Sequence, residues 1–128
     1  MYRFDEDNLI KELKEYVDAT YNGHYSKNKF QSTEFIIDCG HGLGFTLGNV
    51  LKYAQRYGHK DGTNRKDLLK ILHYALIALY VHDYNQKNSS KEKTIQDLYN
   101  NIGRETGVTL EEFKQQLNNE TRSENETK

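Results

Sequence analysis

Residues 45–80 of the chain read FTLGNVLKYAQRYGHKDGTNRKDLLKILHYALIALY. In the first part of this stretch apolar residues recur at i, i+3, i+4 and i+7, which is typical of an amphipathic helix that faces a core. These residues are Leu47, Val50, Leu51 and Ala54. The residues that the same period would bury in the last part are Leu68, Leu69, Leu72, Ala75, Leu76 and Leu79. The stretch therefore predicts two helices joined by a short polar turn.

The other sides of both predicted helices are rich in cations and hydrogen-bonding groups. At about 100° per residue, one narrow band of the first helix contains Asn49, Lys52, Tyr53 and Arg56. A stripe on the second helix consists of Lys66, Lys70 and His73, with Asp67 and Tyr74 beside it. The turn adds His59, Lys60 and Arg65. This pattern predicts an anion site built from side chains.

Composition limits the size and the class of the protein. With 128 residues, of which 35% are hydrophobic and 29% charged, we expect one domain with a modest core. No apolar run approaches the roughly 18 residues of a membrane span, and no signal peptide opens the chain. The single Cys39 cannot form an internal disulfide or a cysteine-rich zinc module. We therefore expect a cytoplasmic protein without a membrane partner.

The charge of the chain is nearly balanced overall but not locally. A net charge of −1 argues against a protein that coats nucleic acid. Residues 48–73, however, carry six bases against two acids, Asp61 and Asp67. This local excess of positive charge favours a small anionic ligand over a long polyanion.

The remaining segments also predict helices. The expected elements are a helix over residues 5–19, a polar loop over 21–31, a short helix from about Ser32 that includes residues 35–37, a loop over 84–90, a helix over 90–102, and a last helix that starts with a capping box of Thr109 and Glu112. Residues 35–37 (FII) are also compatible with a brief strand, although we favour a helix. Residues 118–128 have no apolar side chain and are predicted to be a disordered tail. The predicted fold is all-α, a single domain of five or six short helices over residues 1–117.

A glycine-rich run, CGHGLGFTLGN, covers residues 39–49. Backbone N–H groups at a helix N-terminus suit an anion, but no Gly-Lys-Ser/Thr follows and no strand clearly precedes the run. The alternative is a helix cap, a turn and a close helix crossing. Gly48 lies inside the predicted helix, where glycine costs about 1 kcal/mol relative to alanine, so it indicates close packing or a close ligand.

The polar residues of the central stretch form a recognisable pattern. It consists of His24-Tyr25, Gly48-Asn49-Val50-Leu51-Lys52-Tyr53-x-x-Arg56-x-Gly58-x-Lys60, Asp67-Leu68-x-Lys70 and Tyr74. This pattern, which spans about residues 24–80, resembles a family of small phage proteins classed as nucleotide kinase-like, which includes a nucleotide kinase of T-odd coliphages. The resemblance implies nucleotide binding and phosphoryl transfer to (deoxy)nucleoside monophosphates without a Walker A loop. It also implies a nucleoside triphosphate donor, leaves a need for Mg²⁺ open, and places the protein in the cytoplasm of an infected bacterium.

The resemblance also implies site residues. The candidates carried over by position, with Lys66 added from the cationic stripe, are Tyr25, Asn49, Lys52, Tyr53, Arg56, Lys60, Lys66, Asp67 and Lys70 for ligand binding and His24, Arg56 and Lys60 for catalysis. The chain departs from the family at two positions. Glu34 lies about one residue from the spacing expected for an acid after the His-Tyr pair, and His59 stands where the family often has Lys or Arg.

The chemistry of these side chains agrees with such a site. Lys52, Arg56, Lys60 and Lys70 are suitable donors to phosphoryl oxygens, and His24 is a group able to move a proton near neutral pH. Asn49 is suited to a base edge or a ribose hydroxyl, and Tyr25 or Tyr53 to base stacking.

Each residue also has a plain structural interpretation. Lys52 and Arg56 are compatible with a solvated helix face, and His73 is expected to be an exposed histidine. Asp67 would stand three residues after a helix cap at Asn64. No cluster forms a convincing metal site, although Glu34 and Asp38 would be able to hold magnesium weakly through water.

Three functions follow as hypotheses. The first is a small phage kinase of nucleoside monophosphates. The second is a non-catalytic sponge that sequesters a cyclic or signalling nucleotide of host anti-phage immunity, which needs the cationic and aromatic residues but no proton shuttle. The third is a DNA-binding helical module at residues 97–117, against which the acidic Glu111 and Glu112 argue. The many tyrosines of so small a chain predict a homo-oligomer.

Overall fold

A computed structural model of the chain describes residues 1–24 and 29–126. The regular elements in this part are all helical, which confirms the all-α class. The α-helices are α1 (Glu6–His24), α2 (Lys29–Asp38), α3 (Gly42–Arg56), α4 (Arg65–Leu98) and α5 (Leu110–Glu126). A π-helical turn (Tyr99–Gly103) and a 3₁₀ turn (Arg104–Thr106) lie between α4 and α5.

The chain divides into two compact units. Unit 1 comprises Met1–Asp83 and unit 2 comprises Tyr84–Lys128, so that the boundary falls within α4. Unit 1 contains the whole central stretch. Among the described residues, no helix combines the length and the apolar character that a membrane span requires.

The predicted pair of central helices is confirmed as α3 and α4. The turn between them contains three residues with positive φ, at Gly58, Asp61 and Gly62. Asn64 caps α4, because its side-chain oxygen accepts a hydrogen bond from the Lys66 N–H at 3.0 Å. Local signals in the sequence therefore determine both ends of this turn.

The predicted loop over residues 84–90 is wrong, because these residues belong to α4. The helix is 34 residues long and joins the separate fourth and fifth helices that we expected. No glycine or proline occurs between Asn64 and Ile102. Each Asn or Ser in a helix costs only about 0.5 kcal/mol relative to alanine, so a cluster of them does not end a helix that is otherwise continuous.

Two other segments are more helical than predicted. The α1 helix continues past Ala19 to His24, and α2 starts at Lys29 rather than near Ser32. Residues 35–37 lie in α2, which confirms the helical interpretation over the strand. Residues 118–126, predicted as part of a disordered tail, continue α5 in the structure. Their described side chains are all exposed, so local hydrogen bonds rather than packing account for this helix.

The centre of unit 1 is the crossing of α2, α3 and α4 at Gly42. A Cβ atom at Gly42 would lie 2.9 Å from Ile37 Cγ1 and 3.1 Å from Val81 Cγ1, and Val81 is 1% exposed. Gly40, with φ of 84°, ends α2 in a Schellman motif, since the N–H groups of Gly40 and His41 bond to the carbonyls of Ile37 and Ile36. For Gly40 and Gly42 the structure therefore agrees with the cap and crossing interpretation.

The apolar faces that we predicted to be buried are largely exposed. The exposed fractions are 47% for Leu47, 70% for Leu51, 42% for Leu68, 47% for Leu72, 48% for Leu76 and 61% for Leu79. The side of α3 that packs inward instead contains Thr46 and Tyr53, which are 0% and 8% exposed. The helical period of α3 was correctly predicted, but the prediction of which side of the helix is buried was wrong.

Unit 2 is held by an aromatic pair. The ring of Tyr99 lies 5.7 Å from that of Phe113, and its hydroxyl donates to the Val108 carbonyl at 2.9 Å. The predicted capping box is confirmed, because Thr109 and Glu112 exchange hydrogen bonds between side chain and backbone at 3.0 and 3.2 Å. Glu112 and its neighbour Glu111 are exposed at the start of α5, an unfavourable surface for the phosphates of DNA.

Candidate functional site

Helices α1 to α4 of unit 1 line an open cleft of about 600 Å³. We call it the lysine cleft. Its described lining residues are Tyr16, Thr20, Ser32, Thr33, Tyr53, Lys66, Lys70, His73, Tyr74 and Ile77. The lining combines two ammonium groups with hydroxyl groups and aromatic rings, and its described residues include no carboxylate. The volume is within the range of about 300–1,000 Å³ that is usual for small-molecule sites.

Two lysines lie near the ring of Tyr53, and of these Lys70 is also a described lining residue of the lysine cleft. The Nζ atoms of Lys52 and Lys70 lie 4.9 and 4.8 Å from the centre of the Tyr53 ring. This ring stacks on that of Tyr74, with centroids 5.9 Å apart. Within the described part of the chain neither these lysines nor Lys66 has a carboxylate within ion-pair distance. Cations of α3 and α4 thus lie near one tyrosine ring, and within the described residues their charges have no ion-pair partner.

His73 is buried at the floor of the lysine cleft, although we expected it to be exposed. It is 8% exposed, and its ring meets that of Tyr16 edge-on with centroids 6.2 Å apart. Burial lowers the pKa of His73 below its usual 6.5, so the imidazole is neutral at pH 7. Burial also raises the pKa of Tyr16, which keeps its hydroxyl protonated. Both side chains are therefore available as neutral hydrogen-bonding groups.

Arg56 and Asp67, both predicted ligand-binding residues, form an ion pair with each other. Arg56 Nε lies 3.6 Å from Asp67 Oδ1, and Arg56 Nη2 lies 3.4 Å from Asp61 Oδ2. Asp67 is 1% exposed, and its expected contact with a ligand stays a prediction. In the structure the carboxylate links the end of α3 to the start of α4 through this ion pair.

Asn49 and Lys60 are not among the described lining residues of the lysine cleft. Asn49 donates its side-chain N–H to the Phe45 carbonyl at 2.9 Å. Lys60 is exposed in the turn after α3. Tyr25 and the side chain of His24 lie outside the described part of the chain, so their predicted roles stay predictions.

Arg65 of the cationic turn also has a partner that the sequence did not indicate. Its guanidinium makes two hydrogen bonds to the Glu12 carboxylate of α1, one of them 2.6 Å long from Nη2 to Oε2. This contact lowers the pKa of Glu12. The positive charge of Arg65 is therefore compensated within unit 1 and is not available to the lysine cleft.

An apolar cavity of about 470 Å³ adjoins the lysine cleft. The two share Thr33, His73 and Ile77. Beyond these residues the cavity is lined by Val17, Tyr21, Glu34, Ile37, Leu76 and Tyr80. A ligand with one anionic end and one flat apolar end would match the two spaces in turn.

Sequence reasoning missed the contribution of α1 and α2 to the lysine cleft. Tyr16 and Thr20 were assigned to no site, although their i, i+4 spacing places them on one side of α1. Ser32 and Thr33 were considered only as a helix start. The described residues contain no group of three or more His, Cys, Asp and Glu able to hold a metal ion, and Glu34 lies in the apolar cavity rather than among candidate ligands.

Comparison with known proteins gives one similarity. Residues 19–76 match the model of a family described as a protein of unknown function, DUF3310. No curated protein and no solved structure matches the chain significantly. The matched segment includes every described lining residue of the lysine cleft except Tyr16 and Ile77.

Proposed function

We propose that unit 1 binds a nucleotide, with its phosphate groups in the lysine cleft and its base in the adjoining apolar cavity. Lys66 and Lys70 would donate to the phosphate oxygens, assisted by Tyr16 and the hydroxyl groups of α1 and α2. The sequence resemblance to nucleotide kinase-like phage proteins supports the same ligand class. The first candidate activity is therefore phosphoryl transfer from a nucleoside triphosphate to a nucleoside monophosphate.

One observation carries this proposal. Lys66 and Lys70 both line the lysine cleft, and the described residues offer neither of them an ion-pair partner. Repulsion between neighbouring ammonium groups opposes folding, whereas an anion in the cleft would offset it. A cluster of uncompensated cations on a concave surface is the arrangement expected of an anion-binding site.

A second candidate activity is sequestration of a nucleotide without turnover. It is favoured by the chemistry of the described lining, which contains no carboxylate to accept a proton from an attacking hydroxyl. The positions of two predicted catalytic cations also favour sequestration. Arg56 is held by Asp61 and Asp67, and Lys60 is exposed in the turn after α3.

Binding is tested by thermal shift with a panel of linear and cyclic nucleotides. A ligand that binds only the folded chain adds about 2.7 kcal/mol of stability at a hundred times its Kd, which raises the melting temperature. Two further probes separate the contributions of the two ends of the ligand: nucleosides test the base end, and inorganic pyrophosphate tests the phosphate end. If no nucleotide raises the melting temperature, the proposal is wrong.

The lysine cleft is tested with Lys70→Ala and Lys66→Ala. A hydrogen bond to a charged group contributes about 1.5–3 kcal/mol, so each variant should raise Kd by roughly 10- to 100-fold. Lys11→Ala is the matched control, because Lys11 is exposed on the side of α1 away from Tyr16 and Thr20. Equal affinities of all three variants and the wild type would exclude the lysine cleft as the site.

Turnover is tested by incubation with a labelled monophosphate and a nucleoside triphosphate, followed by chromatography. Transfer of the terminal phosphoryl group yields two diphosphates and supports the kinase. A ligand that binds and is recovered intact supports sequestration.

A further inference from the structure

His73 lies where the lysine cleft and the apolar cavity join, because it belongs to the described lining of both. The residue is 8% exposed, yet neither of its ring nitrogens is among the fully enclosed polar atoms of the described chain. Within the described residues no hydrogen bond uses either nitrogen. The polar edge of the imidazole is therefore open to a ligand that fills the two spaces.

Three tyrosine rings surround the rest of the imidazole. Those of Tyr16 and Tyr21 come from α1, with centroids 6.2 and 6.4 Å from that of His73, and the ring of Tyr74 on α4 lies 6.4 Å away. These rings exclude water from the imidazole and carry no charge near neutral pH. An imidazolium at this position would therefore lose hydration without gaining a counter-ion.

The charged groups near His73 also oppose its protonation before an anion binds. Lys66, Lys70 and His73 follow the spacing i, i+4 and i+7, which places all three on one side of α4. Among the described lining residues of the two cavities, the only carboxylate is that of Glu34 on α2, which is exposed. In agreement with these surroundings, burial lowers the pKa of His73. The other titratable groups of the two linings are the hydroxyls of Tyr16, Tyr21, Tyr53, Tyr74 and Tyr80.

Phosphate groups in the lysine cleft reverse this balance. A negative charge within about 4–6 Å of an imidazole favours the protonated form and raises its pKa by about 1–3. Proton binding and anion binding then strengthen each other by the same factor, because the coupling between two sites is reciprocal. The proton comes from solvent and adds to a ring nitrogen, whose new N–H donates to a phosphate oxygen.

We propose that His73 takes up one proton when phosphate groups enter the lysine cleft, and that its imidazolium binds them together with Lys66 and Lys70. This inference rests on the phosphate half of the proposed function. It adds a third cation to the site, one that forms only when the anion is present. Unit 1 therefore binds phosphate groups more tightly, relative to a site without His73, as the pH falls through the neutral range.

The test uses inorganic pyrophosphate, which needs the lysine cleft but not the apolar cavity. Its Kd is measured by calorimetry between about pH 5 and 8 for the wild type and for His73→Gln. Pyrophosphate itself takes up protons over this range, equally for both proteins, so the measured quantity is the ratio of the Kd of the variant to that of the wild type. From about pH 8 to about pH 5 this ratio should rise at least about tenfold, which is the effect of a pKa shift of about one.

His82→Gln is the matched control. His82 is exposed on the same helix and is not among the described lining residues of either cavity. The ratio of the Kd of His82→Gln to that of the wild type should therefore stay constant over the whole pH range.

The NMR signal of the His73 imidazole in the wild type gives a second readout, which does not depend on the folding of a variant. Its pKa should rise by about 1–3 when pyrophosphate is added. A Kd ratio for His73→Gln that is constant over the pH range, an unchanged pKa, or pyrophosphate that does not bind at any pH overturns the inference. The nucleotide proposal survives these results if a nucleotide raises the melting temperature. Conversely, His73-dependent binding of pyrophosphate without binding of any nucleotide would overturn the nucleotide ligand and support the proton uptake.

Discussion

The buried ion pair of Arg56 and Asp67 gives the sharpest prediction about stability. We expect Asp67→Asn to destabilise unit 1, because the substitution removes the buried negative charge that faces Arg56 Nε. The amide that replaces the carboxylate can also turn its own N–H groups toward this donor. The pair links the last turn of α3 to the first turn of α4, so its loss weakens the contact on which the central helix pair depends.

The magnitude follows from the geometry. Removal of one partner of a buried ion pair costs about 3–5 kcal/mol. Here the distance of 3.6 Å between Nε and Oδ1 exceeds that of a normal hydrogen bond, and Arg56 keeps Asp61 as a second partner. We therefore expect a loss of about 2–3 kcal/mol in the free energy of unfolding. Against a total of about 5–15 kcal/mol for a small protein, this loss is large enough to measure with precision.

The assay is urea unfolding at neutral pH and one fixed protein concentration, since any assembly would make stability depend on concentration. Asp61→Asn is the matched control. Its carboxylate lies 3.4 Å from the same guanidinium but is 62% exposed, so its removal should cost less than about 1 kcal/mol. Equal losses for both variants would refute the reasoning, as would an Asp67→Asn variant of normal stability that binds nucleotide more weakly, because Asp67 would then act on the ligand.

Two further predictions concern Gly42 and His73. Gly42→Ala forces a Cβ atom against Ile37 and Val81 and should cost about 1–3 kcal/mol, measured as a lower urea midpoint at unchanged slope; no loss would show that the crossing can relax. Burial lowers the pKa of His73, so below about pH 6.5 the unfolded chain binds more protons at this residue than the folded chain does. The contribution of His73 to stability should therefore be complete above this pH and decline below it. Urea titrations between about pH 5 and 8 should show this decline in the wild type and a weaker one in His73→Gln, and identical profiles would contradict it.

Local signals predicted most of the helix boundaries in the central stretch. The Asn64 cap, the glycines of the turn and the Thr109–Glu112 box each act within a few residues, so the sequence alone specifies them. The length of α4 was not predicted, because a cluster of Asn and Ser was taken as a loop signal. Helix continuity depends on the sum of small propensities over many residues, and no strong breaker opposed it here.

Charge partners were less predictable than charge positions. Lys52 and Lys70 both lie near the Tyr53 ring, but Arg56, in the same band of α3 as Lys52, is held by Asp67. Helix periodicity places both cations on one side and does not reveal which of them a buried carboxylate will reach. The contribution of Tyr16 and Thr20 was invisible for a related reason, since it depends on how α1 packs against α4 and not on any spacing within one helix.

The exposed leucines connect these observations. In α3 the period identified an apolar side and a polar side, and burial was assigned to the apolar one. The chain instead turns Tyr53 and Thr46 inward, where the Tyr53 ring supports the lysine pair and stacks on Tyr74, and it leaves Leu47 and Leu51 outside. The polar side of α3 thus contributes Tyr53 to the lysine cleft. A helical period therefore separates an apolar side from a polar side, but which side the chain buries depends on the partners that the other helices offer, here Tyr74 for Tyr53.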